Sequence, residues 1–150
     1  EQRLHDSGVA FRSVSLIPDL LTPLWWKAVV DQGDALAVAS VPALLPRDIP
    51  LAAYPKADQA LLARLGGEAS IFRTWDWFAL YPVMQEHAGA AGREVTFTDL
   101  RFVVTSPLGI RLFPGYATPF TLWARLDGQG RLDAYSFRGA GSSPAASRPD

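Results

Sequence analysis

The chain has 150 residues, 49% of them hydrophobic and 19% charged, with 14 basic residues against 15 acidic ones and no cysteine. That is the length of one ordinary domain, and no apolar run approaches the roughly 20 residues of a membrane-spanning helix. A formal charge of −1 with scattered Arg and Lys offers no concentrated positive footprint for nucleic acid, and the lack of cysteine excludes disulfides, thiolate nucleophiles and Cys-ligated zinc.

The opening stretch EQRLHDSGVA has neither a methionine start nor the apolar core of a signal peptide, so it reads as an excised piece. In PLWWKAVVDQGDALAVASV, two β-compatible runs flank Asp31, Gln32, Gly33 and Asp34. Gly33 supplies the positive φ of a tight turn, which predicts strands near 24–31 and 34–42. The following VPALLPRDIPLAAYP carries four prolines after the strand and is expected to be a loop. PKADQALLARLGG then predicts a helix over 56–65, with Pro55 at its start, Leu61, Leu62 and Leu65 on one face, and Gly66 and Gly67 to end it.

FRTWDWF, residues 72–78, packs four aromatic side chains around Asp76. As a strand its two faces would be equally mixed. As a helix over 68–79, Ile71, Phe72, Trp75 and Phe78 form one apolar stripe, with Arg73 and Asp76 off it. The helix is therefore expected, and only Trp77 is left outside the core. VMQEHAGAAGREVTFTDLRFVV predicts a hairpin with strands near 81–88 and 93–104. Its second strand changes parity, since Asp99 and Arg101 occupy positions that Val95 and Phe97 set as apolar. Either a β-bulge near Thr98 shifts the register, or Asp99 and Arg101 form a paired charge on the core face. PFTLWARLDGQGRLDAYSF predicts a last hairpin, near 119–127 and 131–138, and the Pro/Gly/Ser-rich residues 139–150 a disordered tail. The fold class is α+β: a mostly antiparallel sheet of about six strands built from hairpins, with two helices on one face, in a single domain over 1–138.

Catalytic groups are few. The histidines are His5 and His87, and the hairpin register places His87 across from Glu94 as a solvated pair. No glycine-flanked nucleophile elbow or phosphate loop is present. Asp76, Glu86, Glu94 and Asp99 are the central acids, and a carboxylate beside Arg101 favours a structural ion pair over a tuned acid. No catalytic and no metal-ligating residue is assigned. Trp25, Trp77 and Trp123 sit opposite the most apolar parity of their elements, with Lys27 and Arg125 on the faces of Trp25 and Trp123. Such a mixture lines a groove for a lipid headgroup, a sugar or a protein, or else forms a second buried layer. The candidate binding residues are thus Trp25, Lys27, Trp77, Asp99, Arg101, Trp123 and Arg125.

In order, LHDSGVAFRSVSLIPDLLTPLWWKAVV, FRTWDWFALYPV, REVTFTDLRF and PFTLWARLD resemble the soluble C-terminal region of the bacterial membrane-bound, predicted metal-dependent hydrolases of the LexA-regulated inner-membrane type. The resemblance spans about residues 4–136 and rests on Pro23, Leu24 and Trp25, on Trp75, Phe78 and Pro82, on Asp99 and Arg101, and on Phe120. The chain departs from the pattern at Thr22 and by the insertion of Leu80 and Tyr81 before Pro82. The resemblance implies a transmembrane bundle preceding Glu1, attached to the bacterial cytoplasmic membrane, with residues 1–10 as the remnant of a linker or helix. That bundle would hold a divalent metal; no cofactor is expected in these 150 residues.

Three functions follow as expectations. The first is a non-catalytic accessory or regulatory domain whose partner is the membrane-embedded region, contacted near Asp99, Arg101 and Trp77. The second is a lipid- or sugar-binding module using the off-core tryptophans. The third is an independent acid-base enzyme, which needs two carboxylates in one cleft.

Overall fold

A computed structural model describes residues 8–19, 24–43, 50–89, 92–139 and 145–147. Among the described residues, nine strands run in chain order as β1 (Ser13–Pro18), β2 (Trp25–Asp31), β3 (Ala35–Pro42), β4 (Ala52–Pro55), β5 (Pro82–Gly89), β6 (Gly92–Asp99), β7 (Thr121–Leu126), β8 (Leu132–Arg138) and β9 (Ala145–Ser147). Three helices are found among the same residues: α1 (Gln59–Glu68), α2 (Ser70–Phe78) and α3 (Pro107–Leu112). The class is α+β with two antiparallel sheets in place of the single sheet of about six strands expected. The chain forms two compact units, residues 1–55 with 103–116 and residues 56–102 with 117–150.

The first unit holds the sheet β1-β2-β3-β4 in sequence order. The β2–β3 hairpin is the expected one. Gly33 takes φ 100° and its N–H donates to Asp31 Oδ1 at 2.8 Å, so an aspartate closes the turn that glycine permits. Two elements here were not anticipated. β1 pairs along β2 from Ser13 opposite Asp31 to Pro18 opposite Trp26. β4 arises inside the proline-rich stretch read as loop, with Ala52 opposite Val38 and Tyr54 opposite Leu36. β4 is an edge strand that ends on Pro55, a place where proline is tolerated. The rest of that stretch, 44–49, lies outside the described residues. Buried positions are continuous over Lys27–Val30 and Leu36–Ala39, so the centre of β2 and β3 is withdrawn from water on both faces, while β1 and β4 keep exposed positions.

The second unit holds the sheet β5-β6-β7-β8-β9, with α1 and α2 on one face. Leu61, Leu62, Leu65, Phe72 and Trp75 pack with Val95, Phe97, Leu122, Ala124 and Leu126 in one core. α1 begins later than expected. Pro55 belongs to β4, and Asp58 is the N-cap, its carboxylate accepting from Ala60 N at 2.9 Å and Leu61 N at 3.1 Å. α1 also runs through Gly66 and Gly67 to Glu68. Gly66 acts as a contact point instead of a terminator, because a Cβ there would lie 2.6 Å from Arg73 Cγ.

α2 confirms the helical reading of FRTWDWF. Phe72 and Trp75 are buried, Ile71 and Phe78 partly so, Arg73 is exposed, and Trp77 is 85% exposed. The Trp75 indole N–H donates to Phe120 O at 2.7 Å. That bond holds a bulky residue at φ 56°, a region such side chains rarely adopt. The Phe120 ring also packs, tilted, against those of Phe78 and Phe102, at 5.3 and 4.7 Å between centroids.

The β5–β6 register sets His87 across from Glu94, as expected, and proceeds without a shift to Pro82 opposite Asp99. β6 ends there, short of the predicted 104. The register shift falls instead in the β7–β8 hairpin, between Arg125 and Leu126. It explains how Leu132 and Tyr135, three residues apart, both reach the helix-covered face. Within 139–150, Ala145–Ser147 pair with Tyr135–Phe137; 140–144 and 148–150 lie outside the described residues.

Phe72 meets Phe97 and Tyr135 edge-on at 6.2 and 5.9 Å. Phe72→Ala is expected to destabilise the protein by about 3–5 kcal/mol, read from urea unfolding. In the β7–β8 turn the Arg131 backbone N–H, with help from that of Gln129, holds the Asp127 carboxyl below the ordinary carboxylate range. Its contribution is therefore present above the unfolded pKa, about 3.9, and is lost as pH falls through the lower folded value. In an NMR pH titration the Gln129 and Arg131 amides should shift with a midpoint below that of a free aspartate, and Asp127→Asn should abolish the transition.

Candidate functional site

The candidate residues fall into three settings. Asp99 closes β6 on the same parity as Val95 and Phe97, and its side chain is fully buried. Its oxygens accept from Leu80 N at 2.9 Å, Arg101 N at 2.9 Å and Arg101 Nε at 2.8 Å, with Arg101 Nη2 2.7 Å away. Arg101 also donates to Phe78 O at 2.7 Å and lies over the Phe78 and Phe102 rings at 4.6 and 5.0 Å. Of the two sequence alternatives, the charge pair is found with no bulge in the β5–β6 register, but only Asp99 lies on the core face; Arg101 follows the end of β6 and is partly exposed. The pair is a clamp. It grips the backbone at Phe78 and Leu80, where α2 ends, and so fixes the segment that carries Trp77 and Leu80, exposed by 85% and 65%.

Trp123 and Arg125 lie on the face of the second sheet opposite the helices, in register with Thr96 and Glu94. Arg125 sits 5.9 Å from the Trp123 ring and donates to Asp133 at 2.6 Å, a cation–π contact and an ion pair at a partly exposed site. Glu86 is bonded to Arg93, whose guanidinium that bond holds firmly protonated. With Asp99 saturated by donors and Glu86 paired, two of the four central acids serve structure.

Trp25 and Lys27 belong to the first unit. Lys27 is fully buried, a placement almost never seen for an unpaired lysine. Its ammonium lies 3.6 Å from Asp19 Oδ1, also buried, and donates to Val103 O. The other oxygen of Asp19 accepts from Ser106 N at 3.0 Å. Ser106 in turn caps α3, its hydroxyl accepting from Gly109 N at 3.1 Å, with Pro107 at the first turn. Lys27 and Asp19 thus draw residues 103–106 onto the sheet, 76 and 87 positions away along the chain. Sequence reasoning missed Asp19 and Ser106. The Ser-Pro start of a helix was a usable signal for α3; nothing local links it to Asp19.

Beside this anchor is a cavity of about 410 Å³, lined among others by Trp25, Val38, Ser40, Tyr54, Thr105 and Ile110. The strand register explains the lining. Trp25 is opposite Pro42, Lys27 opposite Ser40 and Val38 opposite Ala52, so these side chains share one face of the sheet. Of the lining residues Ser40 and Thr105, the hydroxyl oxygens themselves are buried and have no hydrogen-bond partner among the described residues. Leaving a buried polar group unpaired costs about 1–3 kcal/mol. Among the described residues no three His, Cys, Asp or Glu side chains group as a metal site, and no helix is long and apolar enough to cross a membrane.

Comparisons with protein families, with curated proteins and with solved structures return no match.

Asp99 is fully buried while the Arg101 side chain is 24% exposed, so it is removal of Arg101 that strands a buried charge: Arg101→Met is expected to destabilise by about 3–5 kcal/mol, measured by chemical unfolding. A cycle with Asp99→Ala should show strong coupling, the double variant being less damaged than the sum of the two singles.

Proposed function

We propose that this chain is a non-catalytic accessory or regulatory domain of a bacterial membrane-bound metal-dependent hydrolase, docking on the membrane-embedded region of the same protein through the surface around Trp77. The observation that carries it is the Asp99–Arg101 clamp. The buried Asp99, paired with a partly exposed Arg101, holds the end of α2 while two large apolar side chains next to it, Trp77 and Leu80, stand in solvent. Aromatic residues of this kind on a rigid support are what interface hot spots use. The motif residues Asp99 and Arg101 act in this reading by positioning, and the hydrolytic metal belongs to the partner region. A second reading, a small-ligand-binding module, is favoured by the cavity beside Trp25.

The first reading is tested in the full-length gene product. Trp77→Glu and Leu80→Glu, at exposed positions, should leave unfolding of the domain within about 0.5 kcal/mol of the original. They should also abolish site-specific crosslinking between position 76 and the membrane-embedded region and change the parent's hydrolytic rate. Chelator-sensitive hydrolysis of phosphoesters, esters or peptides by the isolated, metal-loaded domain would contradict it.

A further inference from the structure

Helix α3 is built the reverse way for a helix at a protein surface. Such helices turn apolar residues to the core and polar ones to water. In α3 the buried position is Gly109, where a Cβ would lie 2.6 Å from Val104 Cγ1 and 2.7 Å from Ser106 Oγ. Leu108, Ile110, Leu112 and the following Phe113 are exposed, Ile110 and Leu112 by 58% each. From Phe102 to Ala124 the single charged residue is Arg111, also exposed. The projection stands on a fixed base: Asp19 holds the Ser106 amide, Lys27 holds the Val103 carbonyl, and the Ser106 hydroxyl caps the helix.

The shape of that surface selects what can cover it. At about 100° per residue, Leu108 and Leu112 fall on one side of the helix and Ile110 on the far side of its axis, so no single groove wall takes all three. A helix of six residues is about 9 Å long, too small to supply the roughly 800 Å² per side that a specific protein interface buries. A fluid hydrocarbon phase surrounds a knob from every side and needs no matching wall. The backbone suits such a medium, in which an unpaired N–H is costly. The amides of Gly109, Ile110, Phe113 and Tyr116 are bonded within the segment, and Pro107 and Pro114 carry no N–H. Arg111, with no acid near it in sequence, complements an anionic headgroup, its long side chain reaching back from the apolar layer to a phosphate.

We propose that α3 with Phe113 enters the surface of an anionic lipid bilayer, Leu108, Ile110, Leu112 and Phe113 lying among the acyl chains and Arg111 on a lipid phosphate. The insertion is shallow, at the boundary between headgroups and chains, because the segment is short. It goes beyond docking through Trp77, and vesicles of pure lipid, which hold no membrane-embedded partner, test it separately.

The test floats the 150-residue chain with vesicles of phosphatidylcholine, alone or mixed with phosphatidylglycerol. Binding to the mixed vesicles is expected, with weaker binding to phosphatidylcholine. Ile110→Glu with Leu112→Glu, at exposed positions, should keep Tm and lower vesicle binding by roughly tenfold or more. Arg111→Gln should lower binding to the mixed vesicles about fivefold, the worth of one basic residue at an anionic surface, and leave binding to phosphatidylcholine unchanged. The chain has no cysteine, so Ile110→Cys carries an environment-sensitive fluorophore at one place. Its emission should move to the blue on vesicles, while the same label through Asp34→Cys, in the β2–β3 turn, should not shift; this measurement decides the matter if the double variant does not fold. The proposal is overturned if the chain stays in solution with both kinds of vesicle, if the double variant binds as the original does, if anionic lipid brings no gain, or if the label at Asp34 shifts as far as that at Ile110. Crosslinking from position 110 to the membrane-embedded region of the full-length product, without vesicle binding, would make this surface a protein contact and sink the lipid.

Discussion

A charge taken out of water is stable only where other groups replace its solvation, and that constraint organises both units of this chain. In the first, the buried Lys27 ammonium requires Asp19 and the Val103 carbonyl, and Asp19 requires the Ser106 amide as well. In the second, the buried Asp99 carboxylate requires Arg101 and the Leu80 amide. Each charge sits on a strand or at its end and collects backbone from a stretch outside the sheet. Non-directional apolar packing alone would leave 103–106 and the exit from α2 at 78–80 poorly specified. The charges give them one geometry.

That use of charge separates the candidate residues by role. Lys27, Asp99 and Arg101 are occupied in holding the chain, and such saturated groups are poorly suited to the proton transfers that an acid-base enzyme needs. What remains open to partners is apolar: Trp77 and Leu80 beside one clamp, and the Trp25 cavity beside the other. The proposed docking surface therefore lies next to backbone that Asp99 and Arg101 hold by hydrogen bonds. Rigid support lowers the ordering entropy that binding must overcome.

Local structure was legible where one short segment decides it. The 24–42 hairpin follows from Gly33 between β-formers, and α2 from the spacing of Ile71, Phe72, Trp75 and Phe78. The alternatives at Asp99 were stated correctly because parity is a local property. The errors share a cause in contacts between distant residues. Gly66 reads as a helix stop until Arg73 is seen to pack over it. Pro55 reads as a helix start until β4 is seen to pair with β3. The division of strands between two sheets, and the cavity with its Thr105 wall, depend on residues 103–116 returning to join the first unit. A window of a dozen residues contains no trace of that return. Lys27 was singled out from sequence for its face, correctly, but as a groove residue; its burial depends on Asp19 and Val103, which no periodicity connects to it.

Positions that break a local rule are informative in proportion to whether the protein itself repairs them. Phe120 breaks the φ rule, and the Trp75 indole and two neighbouring phenyl rings repair it. Asp99 breaks the parity rule and is repaired by Leu80 and Arg101. Lys27 breaks the rule against buried lysine and is repaired by Asp19 and Val103. Ser40 and Thr105 break the rule of hydrogen-bond satisfaction, and the described residues supply no repair. They lie in a unit whose other buried polar side chains among the described residues, Asp19, Lys27 and Ser106, are all bonded, so polar satisfaction is weakest at these two hydroxyls.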